Sequence, residues 1–382
     1  MTLVPDELVD DASRLELADP GGMLRAVASG AAQVRESAVV AREAGVASLG
    51  DDGRPRAIVV CGMGGSGIAG DVLAGVAGLT CPVPIVTHRG YGLPGWVGAA
   101  DLVVAVSCSG GTEETLSALE EAVRRGCRLL VVGAADSPVE ALGARGRAVF
   151  VPVTQGRQPR ATVWALSTPL VVAADALGLL VAPAEAVEAT AVRLEQVALS
   201  CRIDAEHFVN PAKQLALELS GTLPVLWGTS PLAGVAAYRF ACQLNENAKT
   251  PGVWGVLPEA NHNQVVTFDG PFAGSGHGPE GDFFRDRLDD DPSGHTRVRV
   301  VLLRDSEEHP QVARRAEVTR ALAEERGVAV SVVAAEGNSS FERLASLVGP
   351  TDWASTYLAL LEGHDPTPVD AITALKSRIA RR

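Results

Sequence analysis

Short unbroken runs of Val, Ile, Leu and Ala punctuate this chain, and between them apolar residues recur every three or four positions. Apolar runs of four to six residues suit strands buried on both faces, and the longer period suits helices laid over them. The alternation predicts strands over 57–61, 83–87, 101–107, 128–133 and 148–153, with helices over 66–76, 112–125 and 137–144. Helical spacing around 23–47 marks residues 1–55 as a lead-in packed on this first unit, closed by the turn Asp51-Asp-Gly-Arg-Pro55. A helical stretch follows over 161–200, interrupted at Ala182-Pro-Ala184. The second unit has a strand over 224–228, a helix over 233–248, a loop through Pro251 and Pro258, and a strand over 297–304. A helix over 309–326, a strand over 328–334 and helices over 339–361 and 368–381 complete it. Strands alternating with helices imply parallel sheets covered on both faces, in an α/β chain of two domains, 56–200 with its helical linker and 201–382. The Gly-, Pro- and Asp-rich stretch 270–296 is expected to be a surface insertion, with His277 and His295 as solvated loop residues.

Composition narrows the function. The 382 residues suffice for two ordinary cores, and 47% hydrophobic with 21% charged residues is a globular balance. A net charge of −13 argues against general nucleic-acid or anionic-membrane partners, so any anion site must be local. No apolar run reaches the ~18 residues of a membrane span, and the N-terminal residues carry no basic region ahead of an apolar core. The six cysteines (Cys61, Cys81, Cys108, Cys127, Cys201, Cys242) form no Cys-x-x-Cys pair, which fits small buried hydrophobes in a reducing, cytoplasmic setting with no metal role.

Candidate chemistry begins at Gly62-Met-Gly-Gly-Ser-Gly67, directly after the first strand. Gly62, Gly64, Gly65 and Gly67 let the backbone bring its N–H groups close to an anion, and the following helix points its positive end there. A second loop, Ser107-Cys-Ser-Gly-Gly-Thr-Glu-Glu-Thr115, repeats the passage from apolar strand through hydroxyls and glycines to a helix start, which Thr112 can cap. Ser66, Ser107, Ser109 and Thr112 would surround a terminal phosphate with neutral donors. The first loop also matches the dinucleotide pattern G-x-G-x-x-G. At the end of the next strand, however, His88 and Arg89 replace the acidic residue that holds a ribose, so a nicotinamide reading survives only with Arg89 on a 2′-phosphate. No Gly-Lys-Ser/Thr supports a nucleoside triphosphatase.

These loops, with Pro159-Arg160, Gln243-Leu-Asn-Glu-Asn-Ala-Lys249, Pro258-Glu-Ala-Asn-His-Asn263 and Asp365-Pro-Thr-Pro-Val-Asp-Ala-Ile-Thr-Ala-Leu-Lys376, resemble the bifunctional phosphoglucose/phosphomannose isomerases of the sugar isomerase (SIS) superfamily. The similarity runs in order from about Ala57 to the C-terminal region. It implies two tandem SIS domains, each a five-stranded parallel sheet between helices, with the phosphate-binding loops (Gly65, Ser66, Ser107, Ser109, Thr112) in the first. It further implies interconversion of fructose 6-phosphate with glucose 6-phosphate, mannose 6-phosphate or both, through a cis-enediol and without cofactor or metal. Glu246 is placed as the base and His262, supplied by the neighbouring subunit of a homodimer, as the ring-opening group. Lys376 and Arg160 are placed near the developing enediolate charge, with Glu259 and Lys249 as nearby alternatives. The chain departs from the family pattern at Gly111, where an Asn is expected in the second loop, and in the length of 270–296. A noncatalytic sugar-phosphate sensor on the same fold is the alternative those departures raise.

Overall fold

The computed structural model describes residues 9–273 and 296–379. Most of the expected insertion, with His277 and His295, lies outside the described residues, as do 1–8 and 380–382. The lead-in forms helices α1 (Ala12–Ala18), α2 (Met23–Ala28) and α3 (Gly30–Glu43). The first parallel sheet follows: β1 (Ile58–Cys61), α4 (Gly65–Ala77), β2 (Ile85–His88), β3 (Leu102–Ser107), α5 (Glu113–Arg124), β4 (Arg128–Gly133), α6 (Pro138–Arg145) and β5 (Val149–Pro152). Helices α7 (Val163–Ala176), α8 (Ala184–Ser200) and α9 (Pro211–Leu219) lead to β6 (Thr222–Gly228), α10 (Pro231–Gln243), β7 (Val253–Val256), β8 (Arg297–Arg304), α11 (Pro310–Glu325), β9 (Ala329–Ala334), α12 (Ser340–Leu361) and α13 (Asp370–Ile379). Strand order is β2-β1-β3-β4-β5 in one sheet and β7-β6-β8-β9 in the other, with every pairing parallel.

The period-two geometry of strands divides their side chains between three apolar layers. Ile58, Val60, Val104, Leu130, Leu226, Val301 and Leu303 face a shared central layer with α4, α7, α10 and α12. Val59, Val103 and Val131 face α5 and α6 on one outer side, while Val225, Val300 and Leu302 face α11 on the other. Helix α12 is buried almost end to end between the two sheets. Burying both faces of each sheet explains the unbroken apolar strands, since each Val or Leu removed from water contributes about 1.5–3 kcal/mol.

Three elements differ from expectation, among them α9, which the periodicity did not predict. The second sheet has four strands among the described residues, and its edge strand β7 lies where a loop was expected, because four residues between Pro251 and Pro258 give too short a period to read. The helix expected over 233–248 ends at Gln243 and passes into one π-helical turn, Leu244–Ala248.

Candidate active site

In the first sheet β1 and β3 are neighbours, and their following connections leave in opposite directions, toward β2 and toward β4. A crevice opens at the carboxyl ends of strands where such a reversal occurs. Both glycine-serine loops lie there. Gly64 turns the first with φ 53°, a conformation side-chain-bearing residues avoid. Gly62 and Gly67 approach each other so closely that a Cβ on Gly67 would stand 2.8 Å from the Gly62 carbonyl oxygen. Gly65 then opens α4, with its N–H outside the helical ladder and facing the crevice end.

The hydroxyls are arranged to donate. Ser66 Oγ accepts from the Cys108 N–H at 3.2 Å, which joins the two loops and leaves the Ser66 proton free. Buried Ser107 donates to Thr112 Oγ1 at 3.2 Å, and exposed Ser109 accepts from the Gly111 N–H at 3.4 Å. Thr112 occupies the N-cap position of α5 as expected but makes no capping bond with its side chain, so its own proton remains for a ligand. Arg89 is differently engaged: it ion-pairs with Asp71 of α4 and lies over the Tyr238 ring at 5.4 Å, which draws its guanidinium away from the role a 2′-phosphate would require. Burial pushes the Asp71 carboxyl up, against the Arg89 charge and a Thr87 hydrogen bond that pull it down.

A second centre adjoins the cradle. The turn Pro159–Ala161 passes so near that a Cβ on Gly65 would lie 3.6 Å from the Pro159 carbonyl oxygen. Fully buried Gln33 of α3 holds this turn by donating to the Ala161 carbonyl at 2.8 Å. Buried Arg160 donates to Asn247 Oδ1 at 2.7 Å and to the carbonyls of Pro366 and Thr367, the latter at 2.5 Å. Its third nitrogen lies 3.7 Å from Glu246 Oε2. Burial lowers the Arg160 guanidinium's pKa, and the charges of Glu246 and Asp365 oppose the shift. Behind it Arg239 donates to the Arg160 carbonyl at 2.9 Å while pairing with Asp352 at 2.7 Å.

Glu246 sits in the π turn, whose widened backbone displaces side chains from ordinary helical positions. Its neighbour Asn247 is fully buried and donates to Ser355 at 2.9 Å, so the turn is fixed from behind while the Glu246 side chain stays 31% exposed. The Glu246 carboxylate makes no hydrogen bond among the described residues. Lys249 closes the turn at φ 59° and donates to the carbonyls of Glu246 at 2.7 Å, Pro368 at 2.9 Å and Asp365 at 3.4 Å. Burial, then the nearby Arg160 charge, lowers the Lys249 pKa. Arg160 and Lys249 together strap the start of α13 to the Glu246 turn.

Two expected residues stand apart. His262 is exposed at the end of the short turn Glu259–His262, without a hydrogen bond among the described residues, and Glu259 there accepts from Asn263 at 2.9 Å. Lys376 lies on α13, none of whose residues is buried. Among the described residues no three His, Cys, Asp or Glu side chains converge in a way that could hold a metal ion, and no helix is long and apolar enough to cross a membrane.

Comparison with known proteins follows this geometry. Residues 208–379 match the model of the bacterial phospho-glucose isomerase C-terminal SIS domain. A bifunctional phosphoglucose/phosphomannose isomerase of Caldicellulosiruptor bescii is 32% identical over 323 residues, 85% of this chain and 89% of its own. The protein of that name from Aquifex aeolicus is 30% identical over 85% of this chain and 91% of its own. The chain belongs to the bifunctional phosphoglucose/phosphomannose isomerase family. Its fold also matches a crystal structure of a hypothetical Thermus thermophilus protein, at TM-score 0.70 and 16% identity, covering 98% of this chain and 94% of that one.

In this family member the second sheet also reverses, between β6 and β8, but its own side chains occupy that crevice. Asp305 accepts from the Ser230 hydroxyl at 2.8 Å, the Thr229 hydroxyl accepts from the Asp305 N–H at 3.0 Å, and Arg343 donates to Asp305 at 2.9 Å. A resident carboxylate thus takes the place an anion would need, which accounts for phosphate-type loops in one half only. The supporting residues Gln33, Asn247, Arg239 and Asp352 escaped the sequence reading. A signal existed for one: Asp352 is the lone Asp in the apolar run of α12 and required a buried partner.

Proposed function

We propose that this protein is an aldose-ketose isomerase interconverting fructose 6-phosphate with glucose 6-phosphate, mannose 6-phosphate or both. The observation that carries the reading is the adjacency of the cradle to Arg160 and Glu246: a phosphate handle on Gly65, Ser66, Ser107, Ser109 and Thr112 sits beside a carboxylate with open hydrogen-bonding capacity. The names carried by the relatives agree with it.

In this reading Glu246 removes the C2 proton of the open-chain aldose. The C2–H electron pair becomes the C1=C2 bond of a cis-enediol as the C1 oxygen is protonated, and return of the proton to C1, as the C2 hydroxyl gives up its own proton, leaves the ketone at C2. C2 epimers share that enediol, so glucose and mannose phosphates differ in the face of C2 from which the proton is taken. Arg160 steadies the enediolate charge, with Lys376 approaching from α13. His262, from a second copy, exchanges the ring-oxygen proton. The exposed Ile372, Leu375 and Ile379, at i, i+3 and i+7 of α13, support a homodimer that covers this helix. The protein works in the cytoplasm and needs no cofactor.

A coupled assay with both aldose phosphates tests the proposal. Turnover with either supports it, whereas fructose 6-phosphate binding without turnover would turn the reading to the sugar-phosphate sensor.

A further inference from the structure

The amino ends of the first sheet's strands, opposite the catalytic crevice, border a separate cavity of about 860 Å³. Its rim includes Arg56 just before β1, Arg128 opening β4 and Val149 opening β5, so β3, at about 3.3 Å per residue, separates it from the crevice by roughly 20 Å. Four arginines line it, Arg54, Arg56, Arg128 and Arg147, in a protein of net charge −13.

Two of these guanidinium groups are engaged. Arg56 pairs with Asp101 at 2.6 Å, and Arg128 donates to the carbonyls of Leu49 at 2.8 Å, Gly53 at 2.7 Å and Asp52 at 3.1 Å, with the exposed Asp52 carboxylate 3.8 Å away. Arg54 and Arg147 are exposed, and their side chains have neither hydrogen bond nor ion pair among the described residues. Arg147 is moreover held at φ 56°, a left-handed conformation that glycine adopts more easily, so a cation stands at the rim where the backbone would favour no side chain at all. Leu49, Val83 and Leu129 underlie the same cavity but are themselves nearly buried, so its surface is mainly polar.

We propose that this cavity is a second ligand site, for a multiply phosphorylated small molecule whose phosphates lie on Arg54 and Arg147. Its volume falls in the range of small-molecule sites, and planar guanidinium groups hold phosphate oxygens in pairs. One Asp52 carboxylate opposes two unpaired cations, so the local balance favours an anion. The site is independent of the isomerase reading.

Calorimetric titration of the full chain, with and without saturating fructose 6-phosphate, tests it with inorganic pyrophosphate and with a nucleoside triphosphate as probes. Pyrophosphate is expected to bind in both conditions, and Arg147→Gly, which also relieves the backbone, is expected to weaken it roughly tenfold. Arg54→Ala is expected to do the same, and neither variant should change turnover of hexose phosphates. The triphosphate should bind more tightly than pyrophosphate through its additional phosphate. No binding at millimolar probe, displacement by fructose 6-phosphate, or wild-type affinity in both variants would overturn the proposal. A triphosphate no tighter than pyrophosphate would overturn the assignment of a multiply phosphorylated ligand to Arg54 and Arg147.

Discussion

Arg160 and Glu246 lie 3.7 Å apart, one from the turn that follows the first sheet and the other from the π turn that follows α10. The separation is a charge contact and not a hydrogen bond, so it holds the carboxylate in place without occupying its proton-accepting lone pairs. Arg160 manages this because its planar fork serves Asn247 and the Pro366 and Thr367 carbonyls with its other nitrogens. Lysine keeps the charge and loses the fork. Arg160→Lys is therefore expected to lower kcat by about 10²-fold while KM changes by less than about threefold, since a transition-state charge contact that has lost its positioning fork costs about that much. Steady-state kinetics would show it, and an unchanged kcat would remove Arg160 from the reaction.

Glu246→Gln keeps the shape of the side chain and removes the base. Turnover is expected to fall by about 10³-fold or more, with fructose 6-phosphate affinity within roughly twofold, because the phosphate contacts come from other loops. If His262 crosses the dimer interface, mixing Glu246→Gln with His262→Ala protein should restore activity. Random exchange between two-fold symmetric dimers gives each mixed dimer one intact site, or roughly a quarter of the wild-type rate. Mixed protein that stays as inactive as its components would place His262 within its own chain's site or outside the reaction.

The first sheet was legible because its strands are long apolar runs bounded by loops of Gly and Ser, and both cradle loops were found where the chain reverses. The second sheet was less so. Val253–Val256 is an edge strand whose Val253 and Trp254 stay exposed, so neither alternation nor a buried run marks it. The Glu246 centre was visible only as a family pattern: Asn-Glu-Asn near a helix end is compatible with any solvated turn, and the widened turn depends on tertiary bonds from Ser355 and Arg160. Periodicity also missed α9, whose Lys213 is wholly buried, an assignment that no single-residue preference supports.

That lysine has a measurable consequence. Asp10, near the start of the described chain, accepts from the His207 N–H and contacts His207 Nδ1, each at 2.7 Å, and lies 3.4 Å from Lys213 Nζ. Burial pushes the Asp10 carboxyl up, but His207 and Lys213 outweigh it and hold it below its ordinary value of 3.8. A depressed carboxyl contributes stability above its unfolded pKa and loses it as pH falls through the lower native value. Asp10→Asn, which leaves Lys213 without its charge partner, is expected to cost roughly 2–3 kcal/mol at neutral pH. The gap between wild type and variant should shrink as pH falls below 3.8, as Asp10 itself is protonated. Urea unfolding at both pH values measures it; a gap that persists undiminished in acid would contradict the charge assignment.

Gly111 decides whether the weakened second loop is a matter of space or only of a missing donor. A Cβ there would meet nothing within 4 Å, and Gly111 is not among the positive-φ residues, so the backbone accepts a side chain without strain. The neighbouring Ser109 and Thr112 hydroxyls accept from Gly111 and Ser107 and keep their own protons for a ligand, and an Asn carboxamide beside them adds N–H donors. Gly111→Asn is therefore expected to leave folding stability within about 0.5 kcal/mol. It should also tighten fructose 6-phosphate by roughly fivefold, the worth of one added hydrogen bond to a charged group of about 1 kcal/mol. Calorimetric titration reads the affinity directly. An unchanged affinity would mean that the existing backbone and hydroxyl donors already saturate the phosphate oxygens, and that the departure at Gly111 carries no weight against catalysis.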